Sequence, residues 1–79
     1  MRLDKFLKVS RLIVRRTVAN EACDAGRVFL NGKTARASTP VKPEDIIEIQ
    51  FGTKNVKVKV KEIRETVRKE EAENLYQYL

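Results

Sequence analysis

The sequence predicts an α+β fold in one domain: two N-terminal helices packed on a small, mainly antiparallel sheet of about four strands, with a short C-terminal helix. Three observations carry this prediction. Apolar residues recur at a helical period near the N-terminus, an Asn-Gly pair separates two β-prone runs, and an apolar/lysine alternation follows at 56–61. The 79 residues suit one domain, with residues 1–68 as its body and 69–79 as a helix docking on it. A chain of this size buries only about 60 to 65% of its unfolded surface, which leaves little room for an enclosed active site.

The first helix is expected over Arg2–Val14, where Leu3, Phe6, Leu7, Ser10, Ile13 and Val14 share one face and only Ser10 is polar. Lys8, Arg11 and Arg15, at i, i+3 and i+7, then lie on the opposite face. Thr17 suits an N-cap for a second helix whose apolar set is Val18, Ala19, Ala22 and Cys23. Gly26 is placed to end it in the left-handed C′ conformation. The outer face of this second helix carries Asn20, Glu21 and Asp24. Any anion contact there must come from its N-terminal end, where free N–H groups and the positive end of the helix dipole lie beside Arg15 and Arg16.

Beyond Gly26 the pattern changes. Arg27–Leu30 is β-prone, Asn31-Gly32 marks a two-residue hairpin turn, and the chain returns through Lys33 to Ala37. Ser38, Thr39, Pro40 and Pro43 form a loop, because proline removes a ladder donor and restricts its predecessor. Ile46–Phe51 reads as a strand, Gly52–Asn55 as a turn and Val56–Ile63 as a further strand. Ala72, Leu75, Tyr76 and Leu79 recur at i, i+3, i+4 and i+7 and predict the final helix.

The net charge of +6 resides entirely in the first 36 residues, which hold nine Lys or Arg against three Asp or Glu; residues 37–79 hold eight of each. Such an imbalance points to a polyanionic partner, of which nucleic acid is the commonest. Other basic groups have simpler explanations. Lys57, Lys59 and Lys61 fit the solvated face of a strand, where lysine also discourages edge pairing, and Arg64, Arg68 and Lys69 alternate with Glu62, Glu65, Glu70 and Glu71. Arg2, Lys5, Lys8, Arg11, Arg15 and Arg16 are opposed in their stretch only by Asp4. These six are the candidate anion-binding residues, extended by Lys33 and Arg36 if the hairpin folds back beside the first helix. Asp4 is the expected local organiser, through a cap or an i,i+4 pair with Lys8, and Thr17 joins it as a cap.

Catalysis is not expected. The chain has no histidine, no Cys/His cluster for a metal, no Gly-rich phosphate loop and no carboxylate pair in an apolar setting, so no metal and no cofactor are anticipated. Cys23 alone makes no internal disulfide and reads as a small core residue. Phe6, Phe29 and Phe51 suit the core, which argues against base stacking on aromatic platforms. No apolar run is long enough to span a bilayer and the N-terminus lacks a signal-peptide core, so a cytoplasmic monomer with no membrane partner is expected.

Arg2-Leu3-Asp4-Lys5-Phe6-Leu7, Arg11, Arg16-Thr17, Ala19 and the run Gly26-Arg27-Val28-Phe29-Leu30-Asn31-Gly32, followed by Pro40, Val41 and Asp45–Ile49, closely resemble the RNA-binding domain first defined in small-subunit ribosomal protein four, here the S-four domain. The resemblance spans residues 2–49. Arg15 stands where many members have a small hydroxyl residue, and Cys23 replaces a larger aliphatic. The chain is most similar to short stand-alone members, the heat-shock ribosome-binding proteins and the ribosome-quality-control factors of the RqcP branch. The resemblance implies binding to rRNA of a large ribosomal subunit that still carries peptidyl-tRNA, with tRNA and a tailing factor as further partners, in support of C-terminal tailing of the stalled chain. Alternatives are general rRNA or tRNA binding in ribosome assembly, a DNA-binding helix-turn-helix, and a protein-docking module built on Tyr76, Tyr78 and Leu79. The acidic outer face of the second helix argues against a major-groove reader. Neutralising about four to six phosphates would give a log–log salt slope of roughly −3 to −5.

Overall fold

A computed structural model describes residues 1–79. Helix α1 covers Leu3–Val9 and α2 covers Arg16–Asp24; strands β1 (Val28–Leu30), β2 (Lys33–Thr34), β3 (Ile46–Phe51), β4 (Lys54–Val60) and β5 (Tyr76–Tyr78) follow, with a 3-10 helix at Lys69–Leu75 before the last strand. The strands form one antiparallel sheet in the order β2-β1-β3-β4-β5. The α+β class is as the sequence predicts, with five strands instead of about four.

Leu3, Phe6 and Leu7 of α1 and Ala19 and Cys23 of α2 close over one sheet face formed by Val28, Ile47, Ile49, Val58 and Val60. The small Ala19 and Cys23 let α2 approach α1, since ridge height sets how near two helices pack. Burial and the charges of Asp4 and Asp24 push the Cys23 thiol up to about 11, so it stays protonated and inert at neutral pH.

Helix α1 is shorter than its periodicity predicts. Ser10 is buried and its Oγ donates to the Leu7 carbonyl; Arg11 takes the C′ position with φ 64°, its N–H bonded to the Lys8 carbonyl. The Ile13 N–H then reaches the Leu7 carbonyl, which turns Ile13 into the core and leaves Val14 65% exposed. Lys8, Arg11 and Arg15 therefore do not share one helical face. Helix α2 ends as predicted at Gly26, φ 74°, with the Gly26 and Arg27 N–H groups donating to Cys23 and Ala22 carbonyls.

The β1–β2 hairpin turns at Asn31 (φ 53°) and Gly32 (φ 84°), the conformation an Asn-Gly turn requires. The return strand stops at Thr34, short of the expected Ala37, because Ala35 and Ala37 turn inward and the 37–39 loop caps α1: the Leu3 and Asp4 N–H groups donate to Thr39 and Ala37 carbonyls. Strand β3 matches its expected bounds, whereas β4 starts at Lys54 and ends at Val60. Phe51 is 43% exposed at the sheet end, not in the core.

The C-terminus departs most. Ala72 and Leu75 are buried as predicted, but the helix is 3-10 and ends at Leu75, and Tyr76–Tyr78 pair with β4. The open edge of β4 offers ladder bonds that a further helical turn would forgo. Leu79 is exposed in consequence.

Candidate nucleic-acid interface

The N-terminal corner is built around one buried acid. Asp4, 2% exposed, receives Arg2 Nε at 3.2 Å on Oδ1 and Arg16 Nε at 3.3 Å on Oδ2, the Asn20 amide at 3.4 Å on Oδ2 and the Lys5 backbone N–H at 2.8 Å on Oδ1. Burial alone would raise its pKa, but hydrogen bonds from Arg16, Asn20 and Arg2 outweigh it and hold the carboxyl below the usual aspartate range. Asp4 therefore stays ionised at neutral pH. Its partner is not Lys8, as an i,i+4 pair would require; the pair is replaced by contacts from α2, one helical turn apart at Arg16 and Asn20.

The two guanidinium groups remain about half exposed, 50% and 48%. A guanidinium carries five N–H donors in a rigid fork, so tethering one edge to Asp4 leaves the other edge directed at solvent with little rotamer freedom to lose on binding. Asp4 thus fixes the direction of two arginines while contributing almost no exposed negative surface.

Arg36 joins this corner. The capping of α1 by the 37–39 loop brings Arg36 and Ser38 to the rim of a groove of about 700 Å³ that also holds Arg2, Asn20, Asp24 and Thr34. Arg15 occupies the N-cap of α2 and is exposed. No side chain caps the first N–H groups of α2. Thr17, expected as that cap, sits one residue inside the helix and lines a shallow depression with Asp4, Arg16, Asn20 and Glu21. The cap moves because Arg15 already has the extended backbone an N-cap needs (φ −107°, ψ 129°).

Other predicted residues lie apart. Lys5 is ion-paired with Glu65, whose carboxyl this contact lowers in pKa. Lys8 and Arg11 line a separate, smaller groove with Glu65, Thr66 and Val67. Lys33 lies on the edge strand β2 opposite Leu30 and lines no groove with Arg2, Arg16 or Arg36. The sequence reading missed Asn20 as a partner of Asp4; its i,i+4 spacing from Arg16 was the available signal. It also missed Asn31, whose side chain accepts from the Ile46 N–H at 2.8 Å and donates to the buried Asp45 at 3.0 Å, tying the hairpin turn to β3.

No group of three or more His, Cys, Asp or Glu is placed to hold a metal ion, and no helix is long and apolar enough to cross a membrane. What the corner can do chemically is donate several charge-assisted hydrogen bonds to anionic oxygens, the strong class of such bonds.

Comparison with known proteins places these features in a family. The S4 domain family matches residues 1–47. The chain is 57% identical over 79 residues to the RQC P-site tRNA stabilizing factor of Bacillus subtilis (strain 168), spanning 100% of this chain and 92% of that protein. Its identity to the protein of the same name from Streptococcus pneumoniae is 51%, over 100% of this chain and 90% of the other. Among solved structures, the trimeric heat shock protein 15 of Vibrio cholerae superposes with a TM-score of 0.93 at 29% identity, covering 100% of this chain and 81% of that one. A solution structure of the hypothetical protein HP1423 gives 0.85 at 31%, covering 100% and 96%.

Proposed function

Because the chain belongs to the S4 domain family, with full-length relatives that share one name, we propose that it is an RNA-binding factor of ribosome-associated quality control. In this reading it binds the large ribosomal subunit through rRNA and stabilises peptidyl-tRNA on stalled subunits, in the cytoplasm, and so supports tailing of the nascent chain by a separate factor. It acts by binding and not by catalysis. Residues 1–68 form the binding unit and residues 69–79 complete its sheet.

The observation that carries the proposal is the Asp4 arrangement. A buried carboxylate that aims Arg2 and Arg16 outward, with Arg36 across the groove and Arg15 at the uncapped start of α2, fits phosphates held at fixed spacing in folded RNA. Aromatic platforms are missing from this corner, which favours recognition of RNA shape and phosphate geometry. Lys5, held by Glu65, contributes less than its position in the sequence implies. One copy presents the whole corner, so the acting unit is read as a monomer.

Sedimentation of wild type and Arg16→Ala through ribosome profiles tests the proposal. The expected result is migration of the wild type with free large subunits, reduced for the variant; a preference of the wild type for duplex DNA over large-subunit RNA and tRNA in filter binding would overturn it.

A further inference from the structure

The groove beside the end of α1 is made by two parts of the chain that are distant in sequence. Lys8, Val9 and Arg11 form one wall and Glu65, Thr66 and Val67 the other, around about 140 Å³. The second wall lies outside the segment matched by the S4 family. It belongs to residues 61–68, which run without helix or strand from β4 to the 3-10 helix. This strap is nonetheless fixed: the Lys61 and Glu62 N–H groups donate to the Leu75 carbonyl, and Ile63 and Val67 pack against the core.

Its charge arrangement is informative. Lys8 and Arg11 are both exposed, and neither enters an ion pair. Glu65 is the acid in the groove, and its carboxylate is turned to Lys5. The groove therefore combines two unneutralised cations, a hydroxyl at Thr66 and one acid whose charge is already compensated. Arg11 is held there by its left-handed backbone at the helix end, a conformation a bulky residue keeps only where its surroundings fix it.

We propose that this groove is a second phosphate-binding subsite, in which one backbone phosphate of RNA sits between Lys8 and Arg11 and accepts a hydrogen bond from the Thr66 hydroxyl. The inference rests on the RNA-binding reading above and adds the strap to the interface. It gives the Glu65–Lys5 contact a charge-compensating role, because the pairing removes the charge that would repel the phosphate, while the packing of Ile63 and Val67 holds Thr66 beside the end of α1. The phosphate comes from rRNA or from tRNA.

The test measures binding of the full chain to large subunits stripped of tRNA, to large subunits carrying peptidyl-tRNA, and to free tRNA, at several salt concentrations. Thr66→Val is expected to weaken binding by about threefold to tenfold, as loss of one net hydrogen bond implies, with Thr66→Ser restoring it and the thermal midpoint unchanged. Arg11→Asn, chosen because asparagine tolerates the left-handed backbone, should lower the salt slope by about one. In the Arg11→Asn background the Thr66→Val loss should shrink, since both groups hold the same phosphate. A loss on stripped subunits assigns the phosphate to rRNA, and a loss confined to samples containing tRNA assigns it to tRNA. Wild-type binding with no effect of Thr66→Val in any arm overturns the subsite while leaving the main reading intact; absence of wild-type binding removes the main reading itself.

Discussion

Two lysine- and arginine-bearing surfaces of this molecule look alike in sequence and differ in structure. On the outer face of the sheet two lysines have acids beside them: Lys57 stands opposite Glu48 in the β3–β4 register, and Lys59 lies 2.8 Å from Glu44. At the helical corner the acid is buried. Asp4 is inside, and Arg2 and Arg16 remain half exposed around it. An exposed acid cancels the field of its neighbour, whereas a buried one orients the cation and leaves its outer donors available. Counting charges along the chain does not separate these cases, because the separation depends on where the carboxylates end up.

The contrast can be broken by substitution. The largest effect is expected for Arg16→Ala, which removes an oriented fork: affinity for large-subunit RNA should fall by about tenfold or more, with the salt slope reduced by about one. Filter binding across a salt series reads both quantities.

An intermediate effect concerns acid stability. The folded-state pKa of Asp4 is depressed, so its stabilising contribution is complete above the unfolded value of about 3.9 and is lost as pH falls through the lower folded value. Thermal unfolding between pH 7 and pH 2 should show stability falling from about the unfolded aspartate value downward, an acid limb that flattens in Asp4→Asn.

Smaller still is Glu65→Gln, which frees Lys5. A gain in RNA affinity of about twofold is expected if a freed lysine contributes one weak phosphate contact, provided Thr66 keeps its place; the Thr66→Val measurement in the same background checks that. The smallest effect belongs to the sheet face. Lys57→Ala combined with Lys59→Ala should leave affinity within about twofold of wild type, because surface pairs of this kind are worth little. A loss comparable to that of Arg16→Ala would show that the sheet face also binds RNA.

Local signals in the sequence were accurate where a turn is decided by one or two residues. Gly26 and Asn31-Gly32 adopt the backbone their chemistry favours, and Ile46–Phe51 keeps its bounds. The early end of α1 was hidden because the apolar period continues through Ile13 and Val14; only tertiary contacts turn Ile13 inward and Val14 outward. The same limit applies at the C-terminus, where Tyr76 and Leu79 extend a helical period that the free edge of β4 overrides. The partners of Asp4 were equally out of reach. They lie on α2, and it is the packing of Ala19 and Cys23 against α1 that brings Arg16 and Asn20 to it. The candidate cations were legible as a set, but their division into the Asp4 corner, the Thr66 groove and the isolated Lys33 was not.

In the proposed interface Asp4 promotes RNA binding by aiming arginines, although it is an acid in a surface that binds an anion. The most direct measurement is the affinity of Asp4→Asn for large-subunit RNA at fixed salt, alongside its thermal midpoint. The substitution removes one negative charge and raises the net charge, so a purely electrostatic surface would bind RNA more tightly. Weaker binding, by about tenfold, is expected in protein that remains folded at the assay temperature, because Arg2 and Arg16 lose their common anchor. Unchanged or tighter binding by folded Asp4→Asn would contradict that aiming role.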